Sequence, residues 1–247
     1  MSVTLITGAS SGLGAEMARQ LAAKGEDLAL CARRTDRLEE LKAEIAAAHP
    51  GRRVEVRALD VNDEEQVFEV FRAFASDFGR LDRIVLNAGI GKGAPIGTGM
   101  QHANRQTAMT NFVAALAQTE AAMEVLRAQN SGQLVMVSSM SAMRGMPKAT
   151  ATYAATKVAV ARLVEGLRVE LYGSPIKFTV LYPGYINSEM NPEGTKAPFI
   201  VGTEKGVAAM VEAILKEKGS AYVPGWPWAV LGPVMKVLPV PLLRRMV

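Results

Sequence analysis

The 247-residue chain has one cysteine, two histidines and no run of basic residues interleaved with aromatics. A single cysteine excludes an intrachain disulfide, and Cys31, set in an apolar run, is expected to be a buried, inert thiol in a reducing cytoplasm. His49 and His102 stand with neither cysteines nor carboxylates at ligand spacing, so no protein-built metal site is expected. The net charge of +4 comes from residues spread along the chain; Arg33-Arg34, Arg52-Arg53 and Arg244-Arg245 are pairs, not patches, which argues against a nucleic-acid groove. There is no low-complexity tract, no internal repeat and no linker, so residues 1–247 are read as one domain. The N-terminus runs straight into the apolar stretch Val3 to Ile6 without the pattern of a secretory signal, and a cytoplasmic protein is expected.

What the chain does have is apolar residues, 49% of the total against 21% charged, the composition of a globular protein with a large core. Short aliphatic runs at Val3 to Ile6, Leu28 to Cys31, Val54 to Ala58, Ile84 to Leu86, Leu134 to Val137 and Phe178 to Leu181 predict strands. Between them, Leu13 to Lys24, Arg37 to Ala48, Glu64 to Phe78, Ala103 to Ala128 and Ala154 to Tyr172 carry apolar residues at helical intervals. This βαβαβ alternation of near-continuously apolar strands predicts an α/β fold with a parallel sheet covered on both faces. Such a sheet holds ligands at the carboxyl ends of its strands, so functional residues should follow strands.

Thr7-Gly8-Ala9-Ser10-Ser11-Gly12-Leu13-Gly14 does follow the first strand and opens the first helix. Glycines there let backbone approach a pyrophosphate, and the helix N-terminus offers free N–H groups. Gly8, Ser10, Ser11, Gly12, Leu13 and Gly14 are therefore candidate phosphate-binding residues, although the spacing is G-x-x-x-G-x-G and not the common dinucleotide pattern. Gly8 to Gly12 also satisfies G-x-S-x-G, which makes a serine hydrolase using Ser10 the rival chemistry; both histidines lie too early in the chain for that catalytic order. Arg33 and Arg34 follow the second strand, where arginine suits the 2′-phosphate of NADP over the 2′-hydroxyl of NAD.

Tyr153 and Lys157 stand four residues apart in an Ala-rich, helix-compatible stretch, on one helix face. A cation beside a phenol is expected to lower its pKa and fit it for acid/base work. With the glycine turn, Asp60-Val61 after the third strand, Asn87-Ala88-Gly89 after the fourth and Ser139 after the fifth, the chain resembles the short-chain dehydrogenase/reductase family over roughly residues 1 to 190. The resemblance implies a Rossmann-type, doubly wound seven-stranded parallel sheet. It implies that Asp60 and Val61 meet the adenine ring, and that Asn87, Ala88 and Gly89 stabilise the central sheet beside the cofactor. By the same resemblance Pro183, Gly184, Ile186 and Ser188 belong to the turn that grips the nicotinamide; serine stands at 188 where threonine is usual. Asn111, Ser139, Tyr153 and Lys157 match the catalytic tetrad, with Ser138 and Ser141 as neighbours that compete for the serine's role. Ser139 precedes Tyr153 by one residue more than the commonest spacing, an insertion expected between Met140 and Thr152.

The expected reaction is hydride transfer between a nicotinamide and a carbonyl or secondary alcohol, with Tyr153 as proton donor, Ser139 bonding the oxygen and Asn111 holding a water beside Lys157. An NADP-binding sensor or scaffold without turnover is the remaining alternative. Homodimers or homotetramers through the helices of Asn111 and Tyr153 are implied. Residues 189–202 hold the position of a substrate cover; its Met190, Pro192, Pro198, Phe199 and Ile200, with Met140, Met143 and Met146, suggest an apolar, lipid- or steroid-like substrate. The tail, residues 224–247, is apolar but punctuated by prolines, which argues against one transmembrane helix. It is read as a cover for the substrate entrance or subunit interface, as a peripheral membrane anchor using Trp226, Trp228, Lys236, Arg244 and Arg245, or as simple core.

Overall fold

The aliphatic runs pair into a single parallel sheet, as strands buried on both faces must. A computed structural model describes residues 2–190 and 197–246, the side chains of 245 and 246 aside. The strands are β1 (Val3–Thr7), β2 (Asp27–Ala32), β3 (Val54–Ala58), β4 (Arg83–Leu86), β5 (Gly132–Val137), β6 (Ile176–Pro183) and β7 (Ser220–Val223). Their order across the sheet is β3-β2-β1-β4-β5-β6-β7, which reverses direction between β1 and β4. That reversal opens a crevice at the carboxyl ends of the two strands.

Helices α1 (Gly12–Ala23), α2 (Thr35–Ala48) and α7 (Thr203–Leu215) cover one face, burying Met17, Leu21, Ile45 and Met210 against Ile6, Leu28 and Val135. On the other, α3 (Glu64–Phe78), α5 (Ala114–Gln129) and α6 (Thr150–Glu170) bury Phe71, Phe74, Leu126 and Val164 against Leu5, Ile84 and Leu134. At about 1.5–3 kcal/mol for each such side chain, these two layers fix where every strand ends. Local signals set the helix limits. Asp63 caps α3 by accepting a hydrogen bond from the Gln66 N–H at 3.0 Å, and Gly79 closes it in the left-handed region.

The helix predicted over Ala103 to Ala128 is divided. α4 (Gln101–Ala108) runs through a π-helical turn, Met109–Val113, into α5. Asn111 occupies that turn, and its amide makes both bonds to Ile90: Oδ1 accepts from the backbone N–H and Nδ2 donates to the carbonyl, each at 2.8 Å. This side-chain bridge accounts for the local departure from α geometry. The tail forms two short helices, α8 (Gly225–Val237) and α9 (Val240–Met246), with Pro233 inside the first and Pro239 between them. Among the described residues no helix is long and apolar enough to cross a membrane.

Candidate functional site

The segments that follow β1 to β6 meet at the crevice, and the cleft they enclose measures about 960 Å³. The turn after β1 forms its floor. Gly8 and Gly12 both have positive φ, at +66° and +54°, and a Cβ on Gly8 would stand 2.9 Å from the Ala88 Cα. Asn87 ties this turn to the end of β4: its Nδ2 donates to the Thr7 carbonyl at 3.0 Å, while the Thr7 hydroxyl accepts from the Asn87 N–H at 3.1 Å. Gly8, Ser10, Ser11, Gly12, Leu13, Asn87, Ala88 and Gly89 line the cleft; Gly14 does not, being packed beneath the turn where a Cβ would lie 2.7 Å from Asn87 Nδ2. A glycine cradle with no room for a side chain, opening the N-terminus of α1, fits a dinucleotide's phosphates.

Beyond the end of β2, Arg33 is exposed on the cleft wall and Arg34 reaches back over the turn, donating to Ser10 Oγ at 3.2 Å and Ser11 Oγ at 2.6 Å. Ser10 is thus partnered by a guanidinium. Neither histidine lines the cleft, so a hydrolytic Ser10 has no histidine base there. Asp60 and Val61 line the wall beside β3, the Asp60 carboxylate accepting from the Asn62 backbone and side chain.

At the opposite end, β5 delivers consecutive serines that diverge. The Ser138 hydroxyl donates to the Lys157 carbonyl at 2.7 Å, inside the fold. Ser139 lines the cleft, accepts from the Ser141 N–H at 3.1 Å and hydrogen-bonds the side chain of Tyr153. Lys157 is buried and donates from Nζ to the Val137 carbonyl at 2.9 Å, with that nitrogen 5.7 Å from the centre of the Tyr153 ring. Asn111 is buried behind the cleft instead of lining it; it and Lys157 flank Gly89, where a Cβ would stand 3.2 Å from Asn111 Oδ1 and 3.4 Å from Lys157 Nζ.

The electrostatics correct one expectation. Burial pushes the Tyr153 phenol above its usual value, with the Ser139 hydrogen bond pulling the other way, so the phenol is not lowered as the neighbouring cation predicts. The same burial brings the Lys157 ammonium down to about 8. Both shifts follow from desolvation, which disfavours phenolate and ammonium alike.

Pro183 ends β6, and with Gly184, Ile186 and Ser188 just after it completes the rim. Of three features here, the reading of the tail as an entrance cover anticipated the first two only in outline, and the third not at all. Trp228 of α8 occupies the space a Gly184 side chain would fill, and its ring meets Tyr185 and Phe199 edge-on at 5.9 and 6.0 Å between centroids. Met235 of α8 lines the same wall with Met140 and Met146, whereas Met143, expected there, packs into the small core around Trp228. Pro192 of the expected cover lies outside the described residues. The anchor expected to use both tryptophans is also corrected: Trp228 is 5% exposed and Trp226 77%. The third feature is Glu189, which ion-pairs with Arg34 and Arg37. For Arg37 a signal existed, since it lies three residues after Arg34, in the first turn of the helix that Arg34 precedes.

Fold and site together define a dinucleotide-dependent oxidoreductase. A family model described as short chain dehydrogenase matches residues 2–198. The chain is 52% identical over 241 residues to an uncharacterised oxidoreductase of Mycobacterium tuberculosis, spanning 98% of this chain and 95% of that one. It is 34% identical over 244 residues to 11-beta-hydroxysteroid dehydrogenase 1A of Arabidopsis thaliana, spanning 91% and 68%. Among solved structures, an alcohol dehydrogenase from the archaeon Thermococcus sibiricus complexed with 5-hydroxy-NADP superimposes with a TM-score of 0.78 at 28% identity, covering 90% of this chain and 95% of that one. NAD complexes also occur among chains of this fold. The chain belongs to the short-chain dehydrogenase/reductase family, oxidoreductases that interconvert CH–OH and C=O with NAD(P).

Proposed function

We propose that this protein is an NADP(H)-dependent reductase of an apolar carbonyl compound, working reversibly on the corresponding secondary alcohol. The observation that carries the reading is the convergence of Ser139 and Tyr153 on one wall of the cleft, with Lys157 behind them and the glycine cradle opposite. When bound, the nicotinamide supplies or accepts the hydride. Gly8, Ser10, Ser11, Gly12 and Leu13 are the residues that would hold the pyrophosphate, Asp60 and Val61 the adenine, Lys157 the nicotinamide ribose, and Pro183, Gly184, Ile186 and Ser188 the nicotinamide.

The chain's own residues manage the oxygen and its proton. Tyr153, its pKa raised, keeps its proton at neutral pH and delivers it from Oη to the carbonyl oxygen. Ser139 donates a hydrogen bond to the same oxygen as negative charge develops. Asn111 is a positioning residue: its bridge to Ile90 holds the π-helical turn against Gly89 and Lys157, and a water held beside Lys157 would serve as the proton route.

Arg33 and Arg34 support NADP over NAD, because guanidinium groups at the end of β2 match a 2′-phosphate. Apolarity of the substrate is supported by Met140, Met146, Tyr185, Met190, Trp228 and Met235 around the reactive end, and by the steroid dehydrogenase among the relatives. Exposed Met109, Val113, Leu116 and Val158 on the helices of Asn111 and Tyr153 support a homodimer or homotetramer. NADPH and NADH oxidation measured over a panel of lipid-like and small polar ketones tests this reading. Turnover of bulky apolar ketones with NADPH is expected; turnover confined to small polar substrates, or to NADH, overturns the corresponding part.

The outer side of the tail supports a second contact. Trp226, Val230, Val234, Val237, Val240 and Leu242 are exposed around Lys236 and Arg244, and no acidic residue follows Glu217. We infer peripheral binding to an anionic bilayer. Co-sedimentation with phosphatidylserine vesicles but not with neutral ones is expected; equal recovery from both, or from neither, refutes it.

A further inference from the structure

The Glu189 carboxylate sits where the preceding reading puts an anion from outside. Arg34 grips it with both prongs of its guanidinium, Nη1 to Oε1 at 3.1 Å and Nη2 to Oε2 at 3.0 Å. Arg37 Nη1 donates to Oε1 at 2.6 Å, and the Ser11 hydroxyl donates to Oε2 at 2.8 Å. Four donors from two separate segments, the turn after β1 and the start of α2, converge on one carboxylate from a third, the stretch after β6. They hold the acid well below the usual carboxylate range, at about 2. No other acid reaches this cluster among the described residues, and Arg33 stands beside it on the cleft wall.

Such a donor set is what a phosphate monoester requires, several N–H and O–H groups on adjacent oxygens with excess positive charge nearby. We propose that Glu189 is an internal occupant of the subsite for the 2′-phosphate of NADP(H), so that the phosphate binds only by displacing this carboxylate from Arg34 and Arg37. The proposal rests on the NADP reading and adds to it a specificity-determining residue and a second arginine ligand, Arg37. The exchange favours the incoming group on charge alone, because a phosphate monoester carries about −1.5 to −2 at neutral pH against −1 for the carboxylate.

The consequence for affinity follows from population. An occupant that must leave reduces apparent affinity by the fraction of molecules in which the subsite is already vacated. The latch is half exposed, its side chains being 41% and 53% accessible for Arg34 and Glu189, so its strength is that of a few screened surface pairs. Removing it should tighten binding of a 2′-phosphate by roughly tenfold. A ligand with a plain 2′-hydroxyl gains nothing, since it has no charge to place between the arginines.

Calorimetric titration of the full chain with 2′,5′-ADP and with 5′-AMP, for the wild type and Glu189→Gln, separates the cases without any turnover. Thermal melting of both proteins establishes that the fold is intact, as expected for an exposed position. The expected result is tenfold tighter 2′,5′-ADP with 5′-AMP unchanged. Weaker 2′,5′-ADP binding in Glu189→Gln would mean that the carboxylate orients the arginines for the phosphate, and would overturn the proposal. Equal tightening of both ligands would overturn it too, by making Glu189 a general obstacle to the cleft. If 2′,5′-ADP outbinds 5′-AMP in both proteins by the same factor, the NADP reading stands and the displacement fails. If it outbinds 5′-AMP in neither, the NADP reading itself fails.

Discussion

The two ends of the cleft each pair a cation with an acid, and the two pairs behave in opposite ways. At the arginine end, Glu189 is half in solvent and multiply hydrogen-bonded, and its pKa falls as the neighbouring charges dictate. At the tyrosine end, Tyr153 and Lys157 sit in a desolvated wall where burial outweighs their attraction, so the phenol rises and the ammonium falls. The lesson is that a charge pair read off a sequence predicts a direction only where water remains to solvate it. The exposed pair is suited to exchange one anion for another; the buried pair is suited to keep a proton until a substrate oxygen arrives.

The largest test of this contrast is Tyr153→Phe, which removes the proposed proton donor and keeps the ring. Carbonyl-reducing kcat should fall by about 10²–10⁴-fold with cofactor affinity little changed. Retention of most activity in single-turnover measurements would move the acid elsewhere. Next comes the buried lysine. In the cofactor-free protein its folded-state value of about 8 lies below the ordinary 10.5, so the unfolded chain binds more protons between those limits and stability rises with pH across them. Below pH 8 both states are protonated and the full burial penalty remains, on the order of 3 kcal/mol at 1.36 kcal/mol per unit. Urea denaturation midpoints from pH 7.5 to 10 should therefore climb in the wild type relative to Lys157→Met; parallel curves would show that the ammonium is solvated. The smallest effect is the Glu189→Gln exchange already described, about tenfold in one ligand's affinity.

Much of the framework was legible from residue pattern. The β3 and α3 limits coincide with the predicted ones, because a capping aspartate, a left-handed glycine and a short stretch with β-branched Val54 and Val56 act locally. The π-helical turn at Asn111 was not legible, since it depends on the Ile90 backbone, which lies 21 residues away in the chain. Nor was the choice among Ser138, Ser139 and Ser141 decidable by alternation alone; all three reach the cleft lining, and the fold engages the Ser138 hydroxyl with the Lys157 carbonyl. Trp228 shows the same limit. Its neighbour Trp226 has the same composition around it, yet one ring fills the space beside Gly184 and the other faces solvent.

By itself the sequence determined the alternation of strands and helices, the parallel sheet, the glycine cradle and the family, because periodicity and glycine φ preferences are properties of short segments. Tertiary structure alone decided which way the Tyr153 and Lys157 pKa values move, that Trp228 and Met235 of α8 line the cleft, and that Glu189 lies between Arg34 and Arg37. Each of these depends on desolvation or on contacts between segments distant in the chain, and neither is a property of the residues taken in order.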